Sequence, residues 1–179
     1  MNDSSESLAR HWPEIEIPNP QIADAAYQYE EVARLLLRQL PQHNCVLPLL
    51  TIAAFAVELF LKSLNAKTVY ISLEEELGEG AYRLSAKPIA QGHRLKQLFD
   101  KLPDDIKSRL EVFCNSSAIG RRFATIGSAL EQFNGMFVDS RYIFEQGKTL
   151  GNSSIEGLVD LASFFREFVD QVRSQVADG

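Results

Sequence analysis

Residues 45–64 read CVLPLLTIAAFAVELFLKSL, and this stretch decides the fold. It is apolar around nearly its whole circumference, interrupted by Thr51, Glu58, Lys62 and Ser63. The uninterrupted apolar run is too short for a bilayer span, which needs about 20 residues. It also holds a carboxylate, which lipid disfavours. A helix that is apolar on all sides and does not cross a membrane belongs in the centre of a protein. The flanking sequence must then supply amphipathic helices to wrap it.

Working outward, Asn19-Pro20 places a capping residue before a proline at the first helical position, a strong helix start. Ile22, Ala25, Tyr29, Val32, Leu36 and Leu40 follow at three-to-four spacing and predict an amphipathic helix ending near Pro41. Residues 1–18 show no sustained period and read as a loose arm, pinned by Trp12. Beyond the central helix the period changes. Val69, Ile71 and Leu73 alternate, Gly78-Glu79-Gly80 makes a turn, and Tyr82 and Leu84 follow, predicting a β-hairpin inserted over residues 66–90. The turn lacks the later glycine and the following helix that a phosphate-cradling loop requires.

Two short helices are expected next, one starting at His93 and one after Pro103 that buries Ile106, Leu110 and Phe113. A longer helix is predicted over residues 121–144, where Phe123, Ile126, Leu130, Phe133 and Phe137 keep helical spacing. The last helix is expected to open on the capping box Ser153-x-x-Glu156 and to bury Ile155, Leu158, Ala162, Phe165, Val169, Val172 and Val176. The expected fold is all-α in the main: an up-and-down helical bundle with a small hairpin insertion, formed by residues 1–179 as one domain.

The bulk properties agree. A chain of 179 residues encloses a real core, and 45% apolar with 23% charged residues is ordinary globular composition. The first residues are polar and acidic and lack a secretory apolar segment, so the expected location is the cytoplasm. Cys45 and Cys114 then read as free thiols. The net charge of −6 repels a phosphate backbone at long range. Over residues 87–122, however, eight Lys or Arg face four Asp or Glu, leaving the rest of the chain at −10. No metal-ligand spacing, cofactor motif or nucleophile triad is present, and no catalytic residue is assigned. The expected partners include no membrane.

Five residues stand out as candidate binding groups: Glu58, Lys62, His93, Arg141 and Tyr142. A carboxylate in an apolar helix needs a partner, and Lys62 lies one turn beyond Glu58 in the favourable order. His93 and Arg141 each sit in an otherwise apolar block, so each needs a polar partner that its neighbours cannot supply. The expectation is that Glu58, His93 and Arg141 meet in one partly buried cluster. Arg141 would neutralise Glu58, with Lys62 and Tyr142 at the rim.

The blocks AAFAVELFLK (residues 53–62), GHRLKQLF (residues 92–99) and Arg141-Tyr142 resemble the signature blocks of HEPN domains. The resemblance covers roughly residues 20–144. It implies a helical bundle, a homodimer, and either a nucleotidyltransferase-like protein partner or a toxin ribonuclease activity. Ribonuclease members use an arginine followed four to six residues later by a histidine. Here Arg141 matches the arginine, but Glu145, Gln146 and Gly147 stand where the histidine falls. A formal match at Arg38 and His43 lies in the wrong part of the fold and across Pro41. The resemblance therefore implies a non-catalytic, dimeric interaction or ligand-binding module. The alternative is an RNA-cleaving toxin of a toxin-antitoxin or defence system. Phe164, Phe165 and Phe168 give a further reason to expect a dimer, since together they exceed one narrow helical stripe.

Overall fold

The computed structural model describes residues 17–73, 78, 81–143 and 154–177. Asn19 caps α1 (Pro20–Gln39) as its sequence requires, its side chain accepting from Ile22 N with Pro20 at the first helical position. The apolar stretch forms α2 (Val46–Ser63), with Pro48 in the first turn, where its missing N–H costs no hydrogen bond. The chain then turns into β1 (Ala66–Ser72) and β2 (Tyr82–Pro88), an antiparallel pair whose rungs run from Ala66 opposite Pro88 to Ser72 opposite Tyr82. After the hairpin come α3 (Leu95–Asp100), α4 (Asp104–Ser116), α5 (Ala118–Arg122), α6 (Ile126–Gln132), α7 (Met136–Asp139) and α8 (Ile155–Ala177). The protein is mainly helical with one small hairpin, as the periodicities predict.

The centre is α2. It packs on α1, α8, α7 and α3, and Ala53, Ala54, Ala56, Val57 and Phe60 have no exposed surface. This helix is long and apolar enough to meet the length and composition of a membrane span, but its role here is that of a core helix. The buried apolar residues of all these helices form one contiguous cluster.

The buried face of α1 is only partly the expected one, since Leu36 and Leu40 pack against the core as predicted. Ala23, Ala26, Glu30 and Ala33 are buried, whereas Tyr29 is 38% and Val32 40% exposed. Alanines let the α1 backbone approach α2 closely, so the larger residues are displaced to the flank. There Tyr29 meets Phe55 of α2 edge-on at 4.7 Å. The seam between α1 and α8 is polar at its rim: Arg173 binds Asp24 at 2.8 Å, and Tyr27 donates to Asp170 at 2.5 Å. The guanidinium groups of Arg166 and Arg173 lie 5.0 and 5.1 Å from the centre of the Tyr27 ring. Burial and the Asp170 bond hold its hydroxyl well above the usual phenol range.

The long helix predicted over residues 121–144 is broken into pieces. Phe123 is extended, and Thr125 and Ser128 form a reciprocal capping box that starts α6 afresh. Gly135 then separates α6 from α7. The three-four spacing survived because each piece buries its own residues: Ile119, then Ile126, Ala129 and Leu130, then Met136 and Phe137. Phe144 lies outside the described residues.

At the start of α8 the cap is Ser154, whose Oγ accepts from Gly157 N; Ser153 is outside the described residues. The first short helix begins at Leu95, not at His93. Its amide at Lys96 is capped from a distance by Asn134 Oδ1 at 2.9 Å. Of the expected N-terminal arm, Ile17 packs on the core and Pro18 is buried, while Trp12 is outside the described residues. Cys45 and Cys114 are free thiols.

Candidate functional site

Glu58 sits in the second half of α2 with no exposed surface. A carboxylate there is tolerable only with donors in place. The sequence supplies the first donor one helical turn on: Lys62 Nζ reaches Glu58 Oε1 at 2.6 Å, with only 15% of the lysine side chain exposed. The second comes from the loop that follows β2. Gly92 adopts φ +102°, a left-handed conformation that favours glycine. The next residue, His93, sets its Nδ1 3.0 and 3.1 Å from the two Glu58 oxygens.

Facing the carboxylate, Nδ1 is the donor of this hydrogen bond, and Nε2 makes no hydrogen bond among the described residues. Its side chain is 49% exposed. The imidazole is therefore oriented from behind by a buried carboxylate and presented to solvent in front. That is the arrangement in which a histidine accepts or donates a proton or binds an anion.

Arg141 does not meet Glu58. It lies in the turn after α7, where its Nε donates to Phe137 O at 3.1 Å and its guanidinium covers the Phe137 ring at 4.1 Å. The reason is the broken helix, since α7 ends at Asp139 and the turn carries Arg141 to the outer side of Phe137. Lys62 and His93 already satisfy the carboxylate, so Arg141 is not needed to neutralise it. The expected cluster thus forms in part: Glu58, Lys62 and His93 are joined by hydrogen bonds, while Arg141 and Tyr142 belong to an adjoining cationic shelf.

The link between the two parts is Phe137. The His93 ring lies 5.0 Å from the Phe137 ring, and Phe55 stacks on Phe137 at 4.9 Å and 17°. The Tyr142 ring is 5.4 Å from the Arg141 guanidinium and 40% exposed. A hydroxyl contact of 2.8 Å between Thr51 and Ser140 ties α7 to α2 and fixes the shelf. No carboxylate among the described residues pairs with Arg141. The arrangement can bind an anion between an imidazole and a guanidinium. Among the described residues, no three His, Cys, Asp or Glu side chains group as a metal site would require.

A second buried carboxylate, Glu30 of α1, escaped the sequence reading. It has no exposed surface and is held by Ser163 Oγ at 2.7 Å and Arg166 Nη1 at 2.7 Å, with Arg34 at 3.6 Å. Its charge favours the protonated guanidinium, holding Arg166 above the usual arginine range. The signal was present in the run Phe164-Phe165-Arg166, a cation inside an apolar segment. The alternation of Glu30 with alanines was masked by the larger residues beside it.

No family model, curated protein or solved structure matches this chain.

Proposed function

We propose that this protein is a non-catalytic, HEPN-like ligand-binding module that works as a homodimer in the cytoplasm. Its His93–Arg141 face would take an anionic, phosphate-bearing ligand. The observation that carries this reading is the pair of unpaired donors and acceptors around Phe137. His93 commits Nδ1 to buried Glu58 and leaves Nε2 without a hydrogen bond among the described residues, and Arg141 offers a planar guanidinium with no carboxylate partner among those residues. A guanidinium fork suits phosphate oxygens in particular.

The C-terminal phenylalanines do not support the dimer, because Phe164, Phe165 and Phe168 are at most 3% exposed within one chain. It rests instead on the flank shared by α1 and α2, where Tyr29, Val32 and Leu47 are each 38–40% exposed. A nucleotidyltransferase-like protein is the partner that the resemblance implies.

The test is calorimetric titration with a nucleoside monophosphate and with inorganic phosphate. Binding that falls at least tenfold in Arg141→Ala, with the fold intact by circular dichroism, is the expected result. Heat that is unchanged in both Arg141→Ala and His93→Ala would end the reading.

One observation favours a second reading, ribonuclease activity. A carboxylate-oriented histidine beside an arginine is also how a general base and a charge-stabilising group are placed. Incubation with a mixed RNA pool separates the two readings: products that vanish in both His93→Ala and Arg141→Ala would replace the binding module with an enzyme.

A further inference from the structure

The hairpin carries a feature independent of the His93 face. Its ladder places Lys67 directly opposite Lys87 and Ile71 opposite Arg83. Side chains alternate across a strand, so Lys67, Val69 and Ile71 share one face with Lys87, Ser85 and Arg83. Lys67, Arg83 and Lys87 are exposed, as is Ile71. Like charges directly opposite each other destabilise a strand pair. None of the three cations has a hydrogen-bond or ion-pair partner among the described residues.

The two edges of this sheet are treated differently. Ile89 N donates to Asn65 O at one end and Leu73 N to Ala81 O at the other. In an antiparallel ladder this alternation makes the odd-numbered residues of β1 the ones bonded to β2. The backbone groups of Thr68 and Tyr70 therefore face outward, along an edge with no backbone partner among the described residues. At the outer edge of β2 one backbone group is taken, since Gln21 Nε2 of α1 donates to Leu84 O at 3.3 Å, whereas the contact of α1 with β1 is to a side chain, Asn19 Nδ2 to Thr68 Oγ1 at 3.3 Å.

We propose that β1 is a docking edge for an acidic polypeptide segment in extended conformation, bound as a third strand. An added strand would pair its backbone with Thr68 and Tyr70. Every second side chain would then lie on the face of Lys67, Lys87 and Arg83. Charge complementarity selects acidic residues at those positions, and Val69 and Ile71 give apolar contact between them. A nucleic-acid strand matches the charge but has no use for an open backbone edge. No aromatic side chain described on this face offers a stacking platform.

The test uses the full chain and a short fluorescein-labelled peptide alternating Glu and Val. Two probes serve as controls: the same peptide with Lys in place of Glu, and a single-stranded oligonucleotide. The Glu/Val peptide should raise anisotropy and slow hydrogen exchange at the Thr68 and Tyr70 amides. In Lys67→Glu its affinity should drop roughly tenfold or more. The variant's urea midpoint should not fall, because the like-charge rung is removed. Three outcomes would overturn the proposal: no binding of the Glu/Val peptide, binding without protection of those amides, or tighter binding of the oligonucleotide. Equal binding by Lys67→Glu and the parent chain would also do so.

Discussion

Removing the charge of Glu58 should be among the most damaging single changes in the protein, and removing its lysine with it should restore most of the loss. In Glu58→Met the carboxylate vanishes from a site with no exposed surface, leaving the Lys62 ammonium, whose side chain is 15% exposed, without its 2.6 Å partner. A cation stranded in this way costs about 3–5 kcal/mol. His93 adds little to that figure, because its side chain is 49% exposed and water can replace the lost acceptor, at about 1 kcal/mol or less. In Glu58→Met/Lys62→Met no charge is stranded and two apolar chains of similar volume join a helix that is already apolar, so the loss should shrink to roughly 1 kcal/mol. The two sites should therefore couple by at least about 2 kcal/mol in a double-mutant cycle read by urea denaturation. Glu58→Met with Arg141→Met should instead be additive, because Arg141 lies on Phe137 and not on the carboxylate. Additivity for Glu58 with Lys62, or strong coupling with Arg141, would refute this account of the network.

Gly120→Ala should cost at least about 2 kcal/mol in the same assay, because a Cβ there would lie 2.1 Å from the Cys114 carbonyl oxygen, a backbone atom that cannot step aside. Gly157→Ala should stay within about 1 kcal/mol of the parent, since it meets only the movable end of Arg122 and gains helix propensity; a large loss would mean that Arg122 is rigidly held. Burial first, and Glu111 second, raise the Cys114 thiol above its ordinary 9.0. Stability should therefore fall as pH rises past about 9, where the unfolded thiol ionises and the folded one does not, and Cys114→Ala should remove that part of the slope in denaturation at stepped alkaline pH. On the acid side, Lys107 holds Asp104 below its ordinary value, and the α8 backbone amide and Ser154 do the same for Glu156. Their contribution is present above the unfolded values and lost as pH falls through the folded ones, and Ser154→Ala should shrink that acid loss.

Signals that depend on a residue's own neighbours were legible in the sequence. The change of period at Thr68 marked the hairpin, Asn19-Pro20 marked the start of α1, and the unbroken apolarity of residues 45–64 marked the core. What failed depended on choices made between elements. The buried side of α1 follows from how closely α2 approaches, and small residues won that contact over the larger Tyr29 and Val32. Residues 121–144 looked continuous because apolar spacing does not register a capping box, although Thr125 and Ser128 stood three apart in the sequence. Glu58 with Lys62 could be read from helical spacing alone. His93 joined them as expected, but the expectation that Arg141 would do so assumed a straight helix that the Thr125 cap and Gly135 interrupt.

The two buried carboxylates differ in a way that bears on function. Glu30 is enclosed by Ser163, Arg166 and Arg34 on the seam between α1 and α8, so its partners serve the packing of those helices. Glu58 has its charge balanced already by Lys62 on its own helix. A second donor brought from a separate loop, by a glycine at φ +102°, adds nothing to that balance. What it fixes is the imidazole itself: which nitrogen carries the proton, and which way the other one faces. A histidine serving only the core would be buried with both nitrogens satisfied, whereas half of this side chain is exposed. It leans on the same Phe137 ring that supports Arg141, and through Phe55 that ring reaches Tyr29 on the half-exposed flank of α1. The oriented imidazole, the guanidinium, which has no carboxylate partner among the described residues, and the apolar flank are thus linked by a chain of ring contacts, which is the physical reason for proposing ligand binding and dimerisation on the same side of the molecule.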